Sequence, residues 1–355
     1  MIKLLALLFL VMLPVCWYIH HYFLVRSNDL SIHKGNTTGE RWASQKKPIL
    51  GGVGFFLGFV ICAACWIIWA HIVGVDYSGT KALSIVIAAT IAFASGLIDD
   101  VFNTPPSFKF FMQFVVSVIL IHAGICINIF ENMILNYALT VFWVVGIMNS
   151  LNMLDNMDAI TTSISTIIML GMVAIMLLTG CGSSLLLFTV VGVLAATISF
   201  LAFNWHPSSM YMGDNGSQFI GAFVSILSIE TLWNTPSVEQ GNWLINFVLI
   251  FMAFIVPITD TTTVSINRTL RGQMPFVGGT DHTTHHLFYM HLNEHQVALV
   301  LGFINLISVA AVVMFVVFPS TQSLYLKIAA FAAIAITLTL YTITRITKRP
   351  TVTAK

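Results

Sequence analysis

Two adjacent aspartates stand at the end of a long apolar run, in the segment Gly96-Leu-Ile-Asp99-Asp100. Neighbouring carboxylates repel each other and raise each other's pKa unless a cation lies beside them. At the boundary of an apolar segment, the pair therefore indicates a site for a divalent cation or a site of proton transfer. A solvated helix end is the simpler interpretation, and this segment alone leaves it open.

A second acidic motif follows two apolar runs later, where Asn152, Asp155 and Asp158 recur at intervals of three residues. On a continuous helix this spacing places the three side chains along one slowly drifting face. Their acceptor atoms are all oxygen, which Mg²⁺ and Mn²⁺ prefer and zinc does not. We therefore expect this face to contribute to a site for a hard divalent cation.

A third motif, Gly213-Asp214-Asn-Gly-Ser217, is a tight polar turn that opens another apolar run. A helix start with small residues and free N–H groups binds phosphate well. Asp214 does not suit an anion site by itself. It suits a site in which Asp214 binds a metal ion and the phosphate lies on the far side of that ion.

The last long polar segment of the chain supplies cationic donors. Arg268 and Arg271 lie three residues apart and would share a face if helical. His282, His285 and His286 would also share a face. A zinc site from these histidines is an alternative, but no fourth ligand is apparent and the other motifs offer oxygen. We expect hydrogen bonds to phosphate or a nucleotide instead, and the combined donor set predicts diphosphate chemistry.

The elements that position these motifs must lie in lipid, because the composition excludes a water-soluble surface. Of 355 residues, 57% are hydrophobic and 8% are charged, and the mean hydropathy is +0.91. Soluble proteins have about 25% charged residues. These values exclude a soluble enzyme, a nucleic-acid-binding protein and a disordered adaptor, and the net charge of +1 gives no signal for a polyanionic partner. The apolar runs are continuous, which predicts helices and not a transmembrane barrel.

Eleven apolar runs approach the length of about 20 residues that a membrane span requires. We therefore predict an all-α, polytopic integral membrane protein with about 11 transmembrane helices. The whole chain, 1–355, forms a single domain in this prediction, with the motifs between about 30 and 300 and a short basic tail at 345–355. The approximate runs are 3–24, 51–73, 80–98, 108–126, 135–154, 161–179, 184–203, 217–233, 243–262, 296–318 and 324–344.

The charged residues orient these spans. Twelve of the 15 Lys and Arg residues fall on the side that holds the breaks after odd-numbered spans and the C-terminal tail. Because basic residues accumulate in cytoplasmic loops, we expect the N-terminus outside and the C-terminus in the cytoplasm. Aspartates gain nothing from this rule, yet all seven aspartates beyond residue 80 fall on the same side, which predicts one polar site at the cytoplasmic face. They are Asp99, Asp100, Asp155, Asp158, Asp214, Asp260 and Asp281.

Taken in order, these motifs resemble those of the polyprenyl-phosphate N-acetylhexosamine-1-phosphate transferases, which form glycosyltransferase family 4. The resemblance covers most of the chain. Eleven spans and the absence of three consecutive histidines favour the branch that transfers N-acetylhexosamine-1-phosphate over the peptidoglycan branch. The matching motifs are Gly51-Gly52, Asp99-Asp100, Asn152-x-x-Asp155-x-x-Asp158, Asn204 followed by Met212-Gly-Asp214-x-Gly-Ser217, and the histidine-rich segment 281–286.

This resemblance implies a reaction. A UDP-N-acetylhexosamine, by default UDP-N-acetylglucosamine, gives its sugar-1-phosphate to undecaprenyl phosphate and releases UMP, with Mg²⁺ or Mn²⁺ as the cofactor. The implied location is the bacterial cytoplasmic (inner) membrane, with the active site on its cytoplasmic face. The implied role is the first membrane step of a cell-envelope glycan pathway, such as that of O-antigen. The partners are the two substrates and the lipid bilayer, without nucleic acid, and the resemblance leaves open whether the chain forms a homodimer.

Matching positions also imply the roles of individual residues. Asp214 and Asn152 would bind the metal. Asp99 and Asp100 would position or activate the lipid phosphate and, with Asp155, form the catalytic group. The substrate-binding residues would be Asp155, Asp158, Asn204 and Tyr211 around the nucleotide-sugar, Tyr211 by stacking on uracil, and Arg268 or Arg271 with His285 and His286 on the diphosphate.

The sequence departs from the family pattern at three places, one of which is the first-loop lysine: it shifts relative to Gly51-Gly52, so Lys46 and Lys47 are left unassigned. The usual Asp-Gly-x-Asp-Gly reads Asp155-Asn156-Met-Asp158-Ala159. Asparagine tolerates a left-handed backbone nearly as well as glycine, whereas alanine does not, so Ala159 bears on the shape of the sugar pocket. The usual His-x-His-His is replaced by a segment with two threonines between the first and second histidine, so the roles of its histidines cannot be carried over one by one.

Three other functions compete with this interpretation. A transporter or channel would use charges near the bilayer midplane, often in repeated halves, whereas here the carboxylates lie at span ends and no repeat is found. A CDP-alcohol phosphotransferase would need a compact run of aspartates that the chain lacks. The remaining rival is a peptidoglycan-branch transferase that uses a UDP-muramoyl pentapeptide.

Overall fold

The computed structural model describes residues 1–30, 47–75, 79–239, 241–274, 279–318 and 322–347. Within these ranges the chain contains helices and no β-strand. Most of the first polar loop and all of the basic tail beyond residue 347 lie outside the described residues. The helices are α1 (Ile2–Leu30), α2 (Gly51–Val73), α3 (Thr80–Phe102), α4 (Pro106–His122), α5 (Met133–Leu154), α6 (Ile160–Thr179), α7 (Ser184–Asn204), α8 (Gly213–Ser228), a π-helical turn (Ile229–Trp233), α9 (Trp243–Ala253), α10 (Ile255–Leu270), α11 (Thr283–Tyr289), α12 (Glu294–Val317) and α13 (Gln322–Ile346).

Each of the eleven predicted runs coincides with one helix or with two helices that follow each other directly. Within the described parts of the chain, eight helices are long and apolar enough to cross a membrane, and the bent pair α9–α10 would make a ninth. Helix α4 has only 17 residues, and α8 becomes long enough only together with the π-helical turn. The prediction of an all-helical, multi-pass membrane protein is confirmed, whereas the count of eleven and the orientation stay predictions.

The span predicted over 243–262 is sharply bent. The helix breaks at Phe254, where α10 departs from α9 at an angle of 89°. Pro257 explains the break, because its ring lacks an amide donor and clashes with the carbonyl four residues earlier. The hydroxyl of Ser308 in α12 donates to the carbonyl of Met252 at 2.6 Å, which satisfies a polar group next to the break.

The polar segment predicted over about 263–295 is also more helical than expected. Helix α10 continues to Leu270, and a short helix, α11, occupies Thr283–Tyr289. Arg268 therefore lies on a helix, while Arg271 is the residue that follows its last turn. Helix propensity and contacts with neighbouring elements, which hydropathy does not report, extend the helix past the end of the apolar run.

Helix α8 lies at the centre of the molecule, and Asp214 is its only residue that is not buried. It packs against α2, α3 and α5. Gly52 of α2 and Gly96 of α3 permit the closest approaches, because a Cβ atom on either would collide with backbone atoms in the first turn of α8. These small residues hold the beginning of α8 directly against its two neighbours.

The motif-bearing segments meet at one end of the helix bundle. The three connections 103–105, 155–159 and 205–212 lie at the same end, because ion pairs and hydrogen bonds join the residues in and beside them. The chain before α2 pairs with the chain before α8: Tyr211 N–H donates to the carbonyl of Pro48 at 2.9 Å, and Gly52 N–H donates to the carbonyl of Met212 at 3.0 Å. This pairing fixes the entry of α8 into the bundle.

Candidate active site

A lysine bridges two of the predicted site carboxylates. Lys109 Nζ in α4 lies 2.7 Å from Asp99 Oδ2 and 3.0 Å from Asp214 Oδ2. The other oxygen of the buried Asp99 accepts hydrogen bonds from the backbone N–H and the hydroxyl of Thr104, at 2.9 and 2.6 Å. One ammonium between two carboxylates reduces the repulsion between them. The structure thus brings together two acidic residues that are far apart in the sequence.

Asp100 has a different environment from its neighbour Asp99. Its Oδ1 accepts the backbone N–H of Asp214 at 3.1 Å, and its Oδ2 accepts the backbone N–H of Asn215 at 2.9 Å. The side-chain amide of Asn215 donates to the same Oδ2 at 2.6 Å. The first N–H groups of a helix have no partner within that helix. Asp100 supplies that partner from α3, and thereby positions Asp214.

Asn152 completes this group from the last turn of α5. Its Nδ2 donates to Asp214 Oδ1 at 3.0 Å and to the hydroxyl of Ser217 at 2.8 Å. The two residues that the resemblance implied as metal ligands, Asn152 and Asp214, are therefore in direct contact. We call Asp99, Asp100, Lys109, Asn152 and Asp214 the acidic cluster.

Sequence reasoning missed Lys109 and the amide network beside it. Gln113 Nε2, one helical turn beyond Lys109, donates to Gln218 Oε1 at 3.0 Å and to Asn149 Oδ1 at 3.2 Å. The Asn149 amide returns a bond to Gln113 Oε1 at 2.7 Å. The available signal was a single lysine near the start of an apolar helix, ten residues after Asp99. In the sequence, Lys109 looks like one more of the basic residues that orient the spans.

The expected common helix face of Asn152, Asp155 and Asp158 is not formed. Helix α5 ends at Leu154, Asp155 is its C-terminal cap, and Asp158 lies in the turn before α6. Ala159 then adopts a left-handed conformation, with φ of 63°. The position where the family pattern has glycine therefore keeps the glycine-type backbone despite its Cβ atom, and this conformation ends any continuous helix.

Asn204 acts between two loops. Its Oδ1 accepts the backbone N–H of Ala159 at 3.1 Å and the hydroxyl of Thr162 at 2.8 Å. Its Nδ2 donates to the carbonyl of Met210 at 3.2 Å. The side chain is buried. Asn204 thus ties the turn before α6 to the loop before α8, which is a positioning role, and its contact with the nucleotide-sugar stays a prediction.

Tyr211 lies beside a lysine that the sequence interpretation left unassigned. Lys47 Nζ is 5.1 Å from the centroid of the Tyr211 ring and donates to the hydroxyl of Ser208 at 3.2 Å. Ser208 in turn donates to Asp158, from its hydroxyl at 2.8 Å and from its backbone N–H at 3.0 Å. An aromatic ring, an ammonium and a carboxylate are thus linked at one place.

The two arginines have unequal environments. Arg268 is buried and donates two hydrogen bonds to Asp281, from Nε at 3.1 Å and from a terminal nitrogen at 2.6 Å. Arg271 reaches Asp281 at 3.4 Å, and 47% of its side chain is exposed. Burial raises the pKa of Asp281, but Arg268 and the nearby cations outweigh burial and hold that pKa below its ordinary value. Arg271 is the arginine with surface left for a ligand.

The three histidines of the last motif do not converge on one point. His282 Nδ1 lies 2.8 Å from Asp260 Oδ2, and His286 Nδ1 lies 2.6 Å from the hydroxyl of Thr347. Burial lowers the pKa of His285 to about 3 and also lowers that of His286, so both rings are neutral at pH 7. Among the described residues, these histidines form no metal-binding group, so the alternative of a zinc site there finds no support.

The comparisons with known proteins agree with this arrangement. A family model described as glycosyl transferase family 4 matches residues 82–232. A probable undecaprenyl-phosphate N-acetylglucosaminyl 1-phosphate transferase of Bacillus subtilis is 31% identical over 277 residues, which are 75% of this chain and 73% of the relative. This chain belongs to glycosyl transferase family 4. It is therefore an enzyme, as the motifs predicted, and the transporter interpretation is excluded.

Two further relatives of this glycosyl transferase family 4 enzyme differ in their named activity. The decaprenyl-phosphate N-acetylglucosaminephosphotransferase of Mycolicibacterium smegmatis is 25% identical over 320 residues, or 83% of this chain and 78% of the relative. A phospho-N-acetylmuramoyl-pentapeptide-transferase of a Wolbachia of Brugia malayi is 29% identical over 209 residues, or 51% and 59%. The family match includes the whole acidic cluster and ends before the arginines and histidines of α10 and α11.

Proposed function

We propose that this enzyme transfers N-acetylhexosamine-1-phosphate from a UDP-sugar to undecaprenyl phosphate. UDP-N-acetylglucosamine is the proposed donor, and the reaction is the first membrane step of a cell-envelope glycan pathway. The observation that carries the proposal is the bridge from Asp99 through Lys109 to Asp214, at the ends of three apolar helices. A phosphate on a membrane-embedded lipid reaches a site of that kind without leaving the bilayer.

The chemistry follows from charge. A phosphate monoester has a second pKa of about 6, so the lipid phosphate is mostly dianionic at pH 7 and hardly needs a general base. One of its oxygens bonds to the phosphorus that carries the sugar, while the bond from that phosphorus to the UMP oxygen breaks and UMP leaves with the electron pair. The obstacle is the approach of two anions, which fixed cations reduce. Because one diphosphate bond replaces another, the reaction should be readily reversible.

The residues of the acidic cluster fit a hard divalent cation. Asp99 and Asp214 already hold one cation, the Lys109 ammonium, between them. The amide of Asn152 contacts Asp214 and would present its oxygen after a simple flip, an orientation that a cation would favour. Mg²⁺ or Mn²⁺ bound here would neutralise phosphate oxygens and the leaving UMP.

The remaining contacts suggest how the chain binds its substrates. Tyr211, with Lys47 beside it, offers a ring on which uracil could stack, and Asp155 borders the same turn as Asp158. Arg271 would hold the diphosphate of the donor, since Arg268 is engaged with Asp281. In this arrangement Asp99 positions the lipid phosphate more than it removes a proton. We place the enzyme in the bacterial cytoplasmic membrane with this end of the bundle facing the cytoplasm.

The muramoyl-pentapeptide donor is the second candidate. It is supported by the relatives of that name, but they match less of this chain than the N-acetylglucosamine enzymes of Bacillus subtilis and Mycolicibacterium smegmatis do. The longer matches favour an N-acetylhexosamine donor.

The test uses purified protein with undecaprenyl phosphate, Mg²⁺ and a panel of labelled UDP-sugars that includes UDP-muramoyl pentapeptide. We expect UMP release with an N-acetylhexosamine donor, loss of release in Asp214→Asn, and reversal when excess UMP is added to the lipid product. Absence of release with every N-acetylhexosamine would overturn the proposal, and release with the pentapeptide donor alone would establish the second candidate.

A further inference from the structure

A second group of metal-ligating side chains lies apart from the acidic cluster. Asp158, His206 and Glu294 come from three different segments: the turn before α6, the loop after α7 and the first residue of α12. One ligand atom of each lies within 4.8 Å of the other two. Among the described residues, this is the one group in which three His, Cys, Asp or Glu side chains bring their ligand atoms this close together.

His206 lies at the centre of this group. Its Nδ1 is 3.0 Å from Asp158 Oδ2 and 2.9 Å from Glu294 Oε2. A ring nitrogen carries at most one N–H, which cannot point at both carboxylates. His206 Nδ1 therefore makes a linear hydrogen bond to only one of the two carboxylate oxygens beside it. A metal ion coordinated by all three atoms would bind both carboxylates at once and remove the repulsion between them.

The distances between the three ligand atoms are close to those of a metal site, so binding an ion would require only small movements of the side chains. Bonds of about 2.0–2.2 Å from zinc to nitrogen and oxygen place tetrahedral ligands about 3.4 Å apart. The two distances from His206 would lengthen by a few tenths of an ångström. Asp158 is already oriented by the hydroxyl and the backbone N–H of Ser208, at 2.8 and 3.0 Å. Such hydrogen bonds to a ligating carboxylate are typical of metal sites.

We propose that Asp158, His206 and Glu294 bind a divalent transition metal ion, with Zn²⁺ as the best match, at a site separate from the Mg²⁺ site of the acidic cluster. One nitrogen and two carboxylate oxygens suit zinc or manganese better than magnesium, which prefers oxygen alone. Three protein ligands leave a position for water or for a phosphate oxygen. The bound ion would connect α12 to the turn before α6 and to the loop after α7, both of which border the proposed donor pocket.

The test measures Zn²⁺ retained by the full-length protein in detergent, by atomic spectrometry after dialysis against excess Mg²⁺. We expect about one Zn²⁺ per chain in the wild type and in Asp214→Asn. Glu294→Gln and His206→Gln should each lower the affinity for Zn²⁺ at least about tenfold. The control His122→Gln changes a histidine at the C-terminal end of α4, outside the proposed site, and should not lower it. Co²⁺ in place of Zn²⁺ should give visible absorption bands in the wild type that both ligand variants lack.

Melting temperatures in the absence of metal establish that the variants are folded, and two variants from different segments guard against a misfolded one. Absence of Zn²⁺ from the wild type would mean that His206 merely bridges two carboxylates, and would overturn the proposal. Equal retention in Glu294→Gln and His206→Gln, or a loss that follows Asp214→Asn, would also overturn it. None of these outcomes depends on transferase activity.

Discussion

The carboxylate of Asp100 holds Asn215 by two hydrogen bonds, from its backbone N–H at 2.9 Å and from its side-chain amide at 2.6 Å. Together with the bond from the N–H of Asp214, this contact caps α8 from α3. Asp99, one residue earlier, faces Lys109 instead. Two adjacent aspartates that look equivalent in the sequence therefore have different roles. Asp100 caps the start of α8, and Asp99 contacts the ammonium of Lys109.

This difference predicts opposite behaviour of the two asparagine variants. In Asp100→Asn, one acceptor oxygen becomes a donor that faces other donors, which costs about 1–3 kcal/mol and displaces Asp214. We expect a lower melting temperature and a loss of UMP release at every pH and metal concentration. In Asp99→Asn, one oxygen can still accept from Thr104, so the melting temperature should hold. Its activity should recover partly at high pH or high Mg²⁺.

Thermal unfolding and UMP release, measured on both proteins between pH 7 and 9, check this prediction. Equal melting temperatures of the two variants would contradict the capping role of Asp100. A complete, pH-independent loss of activity in Asp99→Asn, with metal binding intact, would contradict the positioning role of Asp99.

Lys109 is the next residue to test, because it contacts both Asp99 and Asp214. Lys109→Met removes the ammonium and keeps a side chain of similar length. We expect kcat to fall by about 10²–10³, the usual effect of removing one fixed electrostatic group at a reacting centre. The Mg²⁺ concentration for half-maximal rate should not rise, since a competing cation has gone. The measurement is UMP release as a function of Mg²⁺.

Lys81→Met is the matched control. Lys81 also forms an ion pair, with Glu230 at 2.9 Å, but at the opposite end of α3. Its loss should leave kcat within about twofold, because exposed pairs contribute about 0–1 kcal/mol. Similar losses of kcat in the two variants would show that Lys109 acts through folding and not through the site.

Much of this arrangement could be predicted from the sequence because membrane spans are continuous apolar runs, and their ends locate the loops. Asp99, Asn152 and Asp214 stand at such ends, so their proximity followed from topology. The roles of Asp100 and Asn204 could not be predicted, because a carboxylate that caps a helix and an amide that ties two loops leave the same sequence signal as a ligand. The bend at Phe254 was missed because hydropathy does not register one proline inside an apolar run. His206 and Glu294 were missed because their partners are far apart in the sequence.

Substitutions of the two arginines should have different effects: the Arg271 variant should bind the substrate less well, and the Arg268 variant should be less stable. Arg271→Met should raise the KM for the UDP-sugar about tenfold, because a charged hydrogen bond is worth about 1.5–3 kcal/mol, while leaving the melting temperature unchanged. Arg268→Met should lower the melting temperature, because it leaves the partly buried Asp281 without its bidentate partner. Steady-state kinetics and thermal unfolding of both variants check this. A fall in melting temperature with Arg271→Met and none with Arg268→Met would reverse the assignment.

The ion pair between Arg268 and Asp281 predicts a pH dependence of the melting temperature. The pKa of Asp281 in the folded protein lies below its ordinary value of 3.8. A lowered pKa means that the ionised carboxylate stabilises the folded state above the unfolded pKa, and that this stabilisation is lost as the pH falls through the folded pKa. The difference in melting temperature between the wild type and Asp281→Asn should therefore stay constant from pH 8 to pH 5 and shrink below about pH 4. A difference that disappeared between pH 8 and pH 6 would point to a histidine instead.

Ala159 offers the last prediction, because its backbone has φ of 63°. A residue with a Cβ atom pays roughly 1 kcal/mol for this conformation, and glycine does not. Ala159→Gly should therefore raise the melting temperature by about 1–3 °C, although most alanine-to-glycine changes destabilise. Ala195→Gly is the matched control, because Ala195 is a buried alanine within α7, where glycine costs about 1 kcal/mol. A lower melting temperature in both variants would show that the turn between Asp158 and α6 does not require the left-handed backbone.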